Sequence, residues 1–421
     1  MSSDHEYDPQ SMPDRRLAIL SVHTSPLAQP GTGDGGGMNV YVRSLATSLA
    51  RAGVACDVLT RADAVGLPPV VEVEPGFRVV HLPAGPRAAV ARDALSGLVD
   101  PFTDATRAWI EDHDLAYDVV HANYWVSGAV AHRLKHELDL PLVATFHTLA
   151  RVKADAGIDD DPAARARVEH EVIDCADLML ASTHEEVDQL VSHYGADRDR
   201  VEIVPPGVDH DIFHPVDGEE RAATRAALGL DGRVLLFAGR IQPLKGVDLA
   251  VRTLAELRDP GAVLVIVGGA SGADGHAEHA RVHRLAHELG LDGHVRFVPP
   301  QRHAELDRYY RAADVCLVPS HTESFGLVAL EAASCGTPVV AADVGGLRSL
   351  VAHGETGYLV DGRNPREYAA HVRALFDDDD LRRRMGAAAE ARSRQFAWST
   401  TAARLRRLYG DLVAREPVRC R

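Results

Sequence analysis

Short apolar runs recur along this chain, and most are followed by a loop rich in glycine or polar residues and then by a helical segment. The run LAILSVHTSP (17–26) leads into AQPGTGDGGGMN (28–39) and a helix over 40–53, and the segment 232–257 repeats this order. Strand, loop and helix in this order predict an α/β fold built on doubly wound parallel sheets. A length of 421 residues suffices for two such domains, each with its own core.

The chain divides best after Pro205-Pro206-Gly207, where a strand ends and a polar stretch begins. We predict a disordered leader over 1–14, a first Rossmann-like domain over 15–207 and a second over 208–397. The leader is acidic and has no apolar core, so we expect no signal peptide. No later run approaches the ~20 apolar residues of a membrane span, so we expect no stable membrane insertion.

Composition argues against several classes of function. A formal net charge of −16 disfavours nucleic acid as a partner, because little would neutralise a phosphate backbone. The five cysteines are scattered without a C-x-x-C pair, so we expect a reduced, cytoplasmic protein in which all five are packing residues. The 22 histidines show no metal-ligand spacing, so we predict no metal ligands and no cofactor.

The segment 319–346, PSHTESFGLVALEAASCGTPVVAADVGG, reads as a strand end, a loop carrying Glu323, a helix carrying Glu331 and a second strand. A helix N-terminus stabilises anions through its free N–H groups and its dipole. Two glutamates with this spacing are usually solvated surface residues. The preceding apolar strand and the small residues around the pair favour a ligand site instead.

Two cations, Arg240 and Lys245, occupy the loop AGRIQPLKG between a strand and a helix. Such a pair can hold a diphosphate leaving group, whose negative charge grows as its bond to a sugar breaks. The alternative is that both are ordinary surface charges. In the first half, the glycines 35–37 allow backbone N–H groups to approach a phosphate, and His147 falls at a strand end, where such sheets bind ligands.

Together G-R-x4-K-G and E-x7-E resemble the donor site of the retaining, nucleotide-sugar-dependent glycosyltransferases of family 4, which have the GT-B fold of two Rossmann-like domains facing across a cleft. The resemblance implies that the last helix, about 398–415, packs back on the first domain. It also implies a catalytic set and a donor-binding set. The catalytic set is His147, Glu323, Arg240 and Lys245. The donor-binding set is Gln29, Pro30, Gly37, Arg240, Lys245, Gln301, Glu323 and Glu331.

The first half, with SVHTSPLAQPGTGDGGGMNVYV, HANYWVSG and FHTLARVK, is similar to the D-inositol-3-phosphate glycosyltransferases of mycothiol biosynthesis. This resemblance implies transfer of N-acetylglucosamine from UDP to 1D-myo-inositol 3-phosphate, with the leaving phosphate itself helping to remove the acceptor proton. The implied acceptor-binding residues are His23, Asp34, Asn39, Arg92, Tyr124, Thr148 and Arg165.

Two positions depart from the family pattern. Arg92 stands where the family has a phosphate-binding lysine, and Gln301 stands where it has an arginine near the uracil. A family 4 paralogue acting on another sugar, sugar phosphate or natural product, including a sucrose-phosphate-synthase-like enzyme, therefore stays open. So does a non-catalytic nucleotide-sugar-binding protein, although the donor motifs are intact. We expect small-molecule substrates as partners and leave a monomer and a homodimer open.

Overall fold

The computed structural model describes residues 15–33, 35–155, 157, 162–272 and 275–420, which form two open sheets with helices on both faces. The predicted leader lies outside these residues. The first sheet has the strand order β3-β4-β2-β1-β5-β6-β7-β8. Its strands are β1 (Arg15–Leu20), β2 (Val54–Arg61), β3 (Val70–Glu74), β4 (Phe77–Leu82), β5 (Val119–Asn123), β6 (Leu142–Thr145), β7 (Leu178–Ala181) and β8 (Val201–Ile203).

The second sheet has the order β11-β10-β9-β12-β13-β14 and is parallel throughout. Its strands are β9 (Arg233–Ala238), β10 (Ala262–Val267), β11 (Val295–Val298), β12 (Val315–Val318), β13 (Val339–Ala342) and β14 (Gly357–Val360). The prediction of two doubly wound sheets is confirmed.

Helices connect the strands. In the first half they are α1 (Gly37–Arg51), α2 (Val99–Asp112), α3 (Trp125–Leu138), α4 (Ala150–Asp155), α5 (Pro162–Cys175) and α6 (His184–Tyr194). In the second half they are α7 (Gly218–Leu228), α8 (Val247–Leu257), α9 (Gly275–Glu288), α10 (Leu306–Ala312), α11 (Leu327–Ser334), α12 (Leu347–Leu350), α13 (Pro365–Asp377) and α14 (Asp379–Ser393). The last helix is α15 (Trp398–Val413). Among the described residues, none of these helices has the length and apolar character to cross a membrane.

Apolar residues cover both faces of each sheet, as parallel strands require. Along β1, Leu17 and Ile19 join one buried cluster, whereas the intervening Ala18 and Leu20 join another on the opposite face. Leu235 and Leu236 of β9 divide in the same way between the two clusters of the second half. The continuous apolar runs of the sequence are therefore central strands that are buried on both sides.

Helix α15 packs against the first sheet, as the family resemblance implied. Its Leu405 and Tyr409 are buried in the same cluster as Leu17, and the Tyr409 hydroxyl lies 2.9 Å from Nδ1 of His121 on β5. At the start of the helix, Thr401 Oγ1 donates to the carbonyl oxygen of Pro205 at 2.8 Å. The chain thus returns from the second half to complete the first.

The cysteines depart from prediction. Cys56, Cys316 and Cys335 are free and buried, in agreement with a packing role. The sulfurs of Cys175 and Cys420 instead meet as a disulfide in this structure, with His132 and His136 beside them, so the expectation that all five cysteines are reduced packing residues is wrong for these two. The expectation that no histidines have ligand spacing is also wrong, because His132 and His136 are four residues apart on α3.

Candidate active site

Polar side chains of the first half converge where β1, β5 and β6 end. These strands are neighbours in the sheet, and the chain order reverses between β1 and β5, where such sheets open to ligands. His23 follows β1, Tyr124 follows β5 and His147 follows β6. The rings of His23 and Tyr124 lie 4.5 Å apart between centroids. The structure thus brings together three residues that were predicted from separate segments.

His147 is held in a constrained position at this edge. Its backbone has a φ of 61°, which is unusual for a residue with a side chain, and its Nε2 lies 2.9 Å from Oδ1 of Asn123. Burial, with smaller contributions from His121 and His23, lowers the pKa of His147 to about 3. The imidazole is therefore neutral at physiological pH and acts as a hydrogen-bonding group rather than a cation.

A second cluster lies beside it and contains Arg165, Tyr124 and Thr148. Arg165 Nη1 donates to the Tyr124 hydroxyl at 3.2 Å and Nη2 donates to Thr148 Oγ1 at 3.1 Å. The guanidinium also lies 4.8 Å from the centroid of the Tyr124 ring. Arg165 Nε donates to Glu169 at 2.7 Å, one turn along α5. Glu169 is fully buried and Arg165 is 9% exposed, so this is not a solvated surface pair.

Glu169 fixes this cluster in place, and sequence reasoning did not assign it to the site. Its Oε2 accepts the backbone N–H of Ala150 at 2.9 Å and the hydroxyl proton of Tyr194. A buried carboxylate with these partners orients the arginine that pairs with it. The arginine side chain is therefore held in one geometry before any ligand arrives.

In the second half, Lys245 and Glu323 meet at the ends of β9 and β12. Lys245 Nζ lies 2.6 Å from Glu323 Oε2, and Ser320 Oγ donates to the same oxygen at 3.3 Å. The strand order reverses between β9 and β12, as it does between β1 and β5. Both side chains are about one-fifth exposed, so this ion pair stays accessible to a ligand.

Glu331 lies on α11 and is 5% exposed. His303 Nε2 lies 2.7 Å from its Oε1, and the Tyr310 hydroxyl donates to its Oε2 at 2.8 Å. Burial lowers the pKa of His303, but Glu331 outweighs this effect and the net pKa is raised. His303 was missed by sequence reasoning, since it lies 28 residues before Glu331 and only the fold brings the two together.

The glycine loop 29–37 of the first half contacts the second half. Gln29 Nε2 donates to the backbone oxygen of Gln301, and Ser271 Oγ donates to that of Gly33. A Cβ atom on Gly36 would lie 3.1 Å from Nε of Arg240, so the guanidinium lies directly against the loop. Gln29, Gly37, Arg240 and Gln301, all predicted donor residues, therefore surround one region of the cleft, and Pro30 lies in the same loop.

Asn39 has a different environment from the one predicted. It is 1% exposed, its Nδ2 donates to Thr24 Oγ1 at 2.7 Å and to the Ser25 carbonyl at 2.6 Å, and its Oδ1 accepts the Gly36 N–H at 2.8 Å. With both amide hydrogens donated within the protein, Asn39 holds the glycine loop rather than an acceptor. Asp34 and the side chain of Arg92 lie outside the described part of the chain.

The comparisons with known proteins identify the family. The model for "Glycosyl transferases group 1" matches residues 220–392, and the model for "Glycosyl transferase 4-like domain" matches residues 36–207. The chain is 47% identical over 413 residues to a D-inositol 3-phosphate glycosyltransferase of Xylanimonas cellulosilytica, which covers 96% of this chain and 98% of the relative. The chain belongs to this glycosyltransferase family.

Two further comparisons support the same family and the GT-B fold. A D-inositol 3-phosphate glycosyltransferase of Kineococcus radiotolerans is 49% identical over 408 residues, covering 92% of this chain and 93% of the relative. The solved structure of a sucrose-phosphate synthase from Thermosynechococcus elongatus matches with a TM-score of 0.88 and 33% identity, covering 95% of this chain and 99% of that chain. The chain is thus a hexosyltransferase with the GT-B fold, and it acts on small-molecule substrates.

Proposed function

We propose that this glycosyltransferase transfers N-acetylglucosamine, with retention of configuration, from UDP-N-acetylglucosamine to 1D-myo-inositol 3-phosphate. The observation that carries the proposal is the cluster of Arg165, Tyr124 and Thr148 beside His147. It lies in a chain that matches D-inositol 3-phosphate glycosyltransferases at 47% identity over almost its whole length. A phosphorylated acceptor is the ligand that such a cluster suits best.

For the acceptor, the hydrogen-bond directions matter. The Tyr124 hydroxyl and Thr148 Oγ1 both accept from Arg165, so each can donate its own proton to a phosphate oxygen. The His23 ring packs against Tyr124 with ring centroids 4.5 Å apart and ring planes tilted by 38°, and it would contact the inositol ring. Arg92, whose 3₁₀ helix (Arg92–Leu98) precedes α2, would add a second cation as the resemblance implies.

For the donor, Arg240 and Lys245 would hold the diphosphate of UDP. The N-terminus of α1 begins at Gly37, next to the place where Arg240 meets the glycine loop, and the free N–H groups of a helix start favour an anion. Glu331 would bind the ribose with the Oε atoms that His303 and Tyr310 orient. Gln29 and Gln301, which meet across the cleft, would flank the uracil, and Glu323 would face the sugar.

In the reaction step, the bond between the anomeric carbon and the β-phosphate oxygen breaks, and the acceptor hydroxyl oxygen bonds to the same carbon on the same face. The acceptor proton passes to the departing phosphate oxygen, so atoms and charges balance without a separate base. The protein supplies cationic stabilisation of the leaving group and, through neutral His147, a hydrogen bond near the reacting carbon. We propose that Arg240 and Lys245 take the place of a divalent metal in this step.

We place the reaction in the cytoplasm. Cys56, Cys316 and Cys335 are free and buried, as is usual for proteins of a reducing compartment. A monomer and a homodimer are both compatible with this proposal.

The deciding experiment is a matrix of donors and acceptors, read by UDP release and by product mass. UDP-N-acetylglucosamine with inositol 3-phosphate should give the highest kcat/KM, at the same rate with and without added Mg²⁺. The matrix includes UDP-glucose, free inositol and hexose phosphates. Preference for UDP-glucose with a hexose phosphate would replace the proposal with a reaction of the sucrose-phosphate-synthase type, which the similarity to that structure makes the second candidate.

Gly36→Ala tests the position of Arg240. The added methyl group would lie 3.1 Å from Arg240 Nε and 3.2 Å from its Cζ, so the guanidinium must give way by a few tenths of an ångström. A charge-assisted hydrogen bond to the diphosphate that is weakened by about 1.5 kcal/mol corresponds to a fall of roughly 10-fold in kcat/KM for the donor. Gly218→Ala is the matched control, because a methyl group added there would meet no other atom within 4 Å. A Gly36→Ala enzyme with the wild-type rate would contradict this placement of Arg240.

A further inference from the structure

Four potential metal ligands meet on the first half, from three separate segments. His132 and His136 lie on α3, Cys175 is the last residue of α5, and Cys420 lies in the tail after α15. One ligand atom from each of these residues lies within 4.8 Å of the other three. None of the four belongs to the site described above, so glycosyl transfer does not explain why they meet.

The sulfur–nitrogen spacings match a tetrahedral site, whereas the two sulfurs meet as a disulfide in this structure. Cys420 Sγ lies 3.0 Å from His136 Nε2 and 3.7 Å from His132 Nε2, and Cys175 Sγ lies 3.4 Å from His136 Nε2. A zinc ion with Zn–S bonds of about 2.3 Å and Zn–N bonds of about 2.0–2.1 Å places sulfur and nitrogen ligands roughly 3.5 Å apart. We propose that, when Cys175 and Cys420 are reduced, this Cys2His2 cluster binds one structural Zn²⁺ ion, which fastens the C-terminal tail to the first domain.

The local framework orients the ligands. His132 and His136 are one helical turn apart, so both imidazoles project from the same face of α3. Lys135, between them in sequence, donates from Nζ to the Cys175 carbonyl at 2.8 Å and to Asp177 Oδ2 at 2.7 Å. The other oxygen of Asp177 accepts the backbone N–H of Val418. The tail is therefore guided to the cluster by contacts that do not involve the metal.

The two histidines favour a metal site over the Cys175–Cys420 disulfide. A Cys175–Cys420 disulfide would use only the two sulfurs and would give neither imidazole a role. Two thiolates and two neutral imidazoles form a ligand set that neutralises the charge of Zn²⁺ and fills its four positions. Closed sites of this kind stabilise a fold and leave no position for a substrate.

The site is too far along α3 to take part in catalysis. The helix begins at Trp125, beside Tyr124, and with a rise of about 1.5 Å per residue His132 and His136 lie roughly 10–17 Å along it. Cys175 and Cys420 are 245 residues apart in sequence. A metal that joins them stabilises the returning C-terminal segment, and its loss should lower Tm while leaving the rate of UDP release at ordinary assay temperature unchanged.

Metal content of the full-length chain, purified under reducing conditions, tests the proposal. We expect about one zinc per chain by mass spectrometry, and loss of zinc from both Cys420→Ser and His136→Gln. His170→Gln is the matched control, because the His170 side chain is 46% exposed on α5 and pairs with Asp174. Reconstitution of the wild-type chain with Co²⁺ should give a thiolate-to-cobalt charge-transfer band, and this readout does not depend on whether the variants fold.

The number of free thiols distinguishes a zinc site from a Cys175–Cys420 disulfide. Denaturation with a chelator and without reductant should expose all five thiols of the zinc form, whereas a Cys175–Cys420 disulfide would leave only the other three. A zinc-free chain with three thiols identifies a disulfide and overturns the proposal. A zinc-free chain with five thiols also overturns it, as does zinc that persists in both ligand variants.

Discussion

Replacing Lys245 with alanine should lower kcat/KM for glycosyl transfer by roughly 30- to 1,000-fold, which corresponds to a loss of ~2 to 4 kcal/mol of transition-state stabilisation. The ammonium group lies at the end of β9, where we place the departing diphosphate, and it pairs with Glu323 at 2.6 Å. Removing it takes away a cation that would stabilise the leaving group and leaves the Glu323 carboxylate near the growing negative charge. Steady-state kinetics of UDP release with the true acceptor measure the effect.

Lys245→Ala has two effects: it removes a cation from the leaving group, and it leaves Glu323 without its ion-pair partner. A double-mutant cycle separates these two effects. If Lys245 serves only to neutralise Glu323, the variant Lys245→Ala/Glu323→Gln should recover most of the lost rate. If Lys245 contacts the diphosphate, as proposed, the double variant should stay slow. Arg366→Ala is the charge-matched control, since that arginine is 77% exposed at its side chain and pairs with Glu256 away from the cleft. An unchanged rate in Lys245→Ala would exclude this lysine from the donor site.

The sequence predicts the positions of the site residues well where they follow a buried strand. His147, Tyr124 and Arg240 each come directly after an apolar run, and the carboxyl ends of neighbouring parallel strands meet at one edge of a sheet. The apolar runs are read correctly because parallel strands are buried on both faces. The edge strands β3 and β14 were missed. Strand β3 is partly exposed, and its local signals are the alternation of valine and glutamate in VVEVE and the Pro75-Gly76 turn before β4, where Gly76 has a φ of 82°.

Contacts between distant segments are what the sequence does not provide. Glu331 was predicted from its motif, but its two partners come from the 3₁₀ helix His303–Glu305 and from α10. The four residues of the proposed zinc site span 289 positions from His132 to Cys420, and only the return of α15 to the first half brings the tail to α3. The spacing of His132 and His136 was a signal in the sequence, but it gains meaning only beside Cys175 and Cys420.

The Arg165–Glu169 pair shows why burial matters to prediction. The spacing of four residues on α5 indicates that the two side chains can meet, and it is equally compatible with a solvated surface pair. In the structure Glu169 is fully buried, so the pair is a fixed part of the acceptor region. Glu169 partly neutralises the charge of Arg165. A bound phosphate would therefore depend more on hydrogen bonds donated by the hydroxyls of Tyr124 and Thr148.

This arrangement sets the expected preference for a phosphorylated acceptor. Inositol 3-phosphate should exceed free inositol in kcat/KM by roughly 10²- to 10⁴-fold, because the neutral polyol forgoes two or more charge-assisted hydrogen bonds worth about 1.5–3 kcal/mol each. The measurement is UDP release with both acceptors at saturating donor. Equal efficiency with free inositol would rule out a phosphate pocket and would favour a paralogue with a neutral acceptor.

Tyr124→Phe removes one proposed phosphate contact and keeps the buried Arg165–Glu169 pair that supports the pocket. Arg165→Ala would remove the cation but would also leave Glu169 buried without its partner, so a loss of activity there could reflect misfolding. Tyr124→Phe keeps the ring that packs against His23 and removes only the hydroxyl that Arg165 orients. We expect it to raise KM for inositol 3-phosphate about 10-fold, the effect of losing one hydrogen bond to a charged group, while KM for the donor stays unchanged. Tyr358→Phe on β14 is the control, because its ring stacks on His371 in the second half. A Tyr124→Phe enzyme that discriminates between the two acceptors as strongly as the wild type would show that the phosphate binds elsewhere.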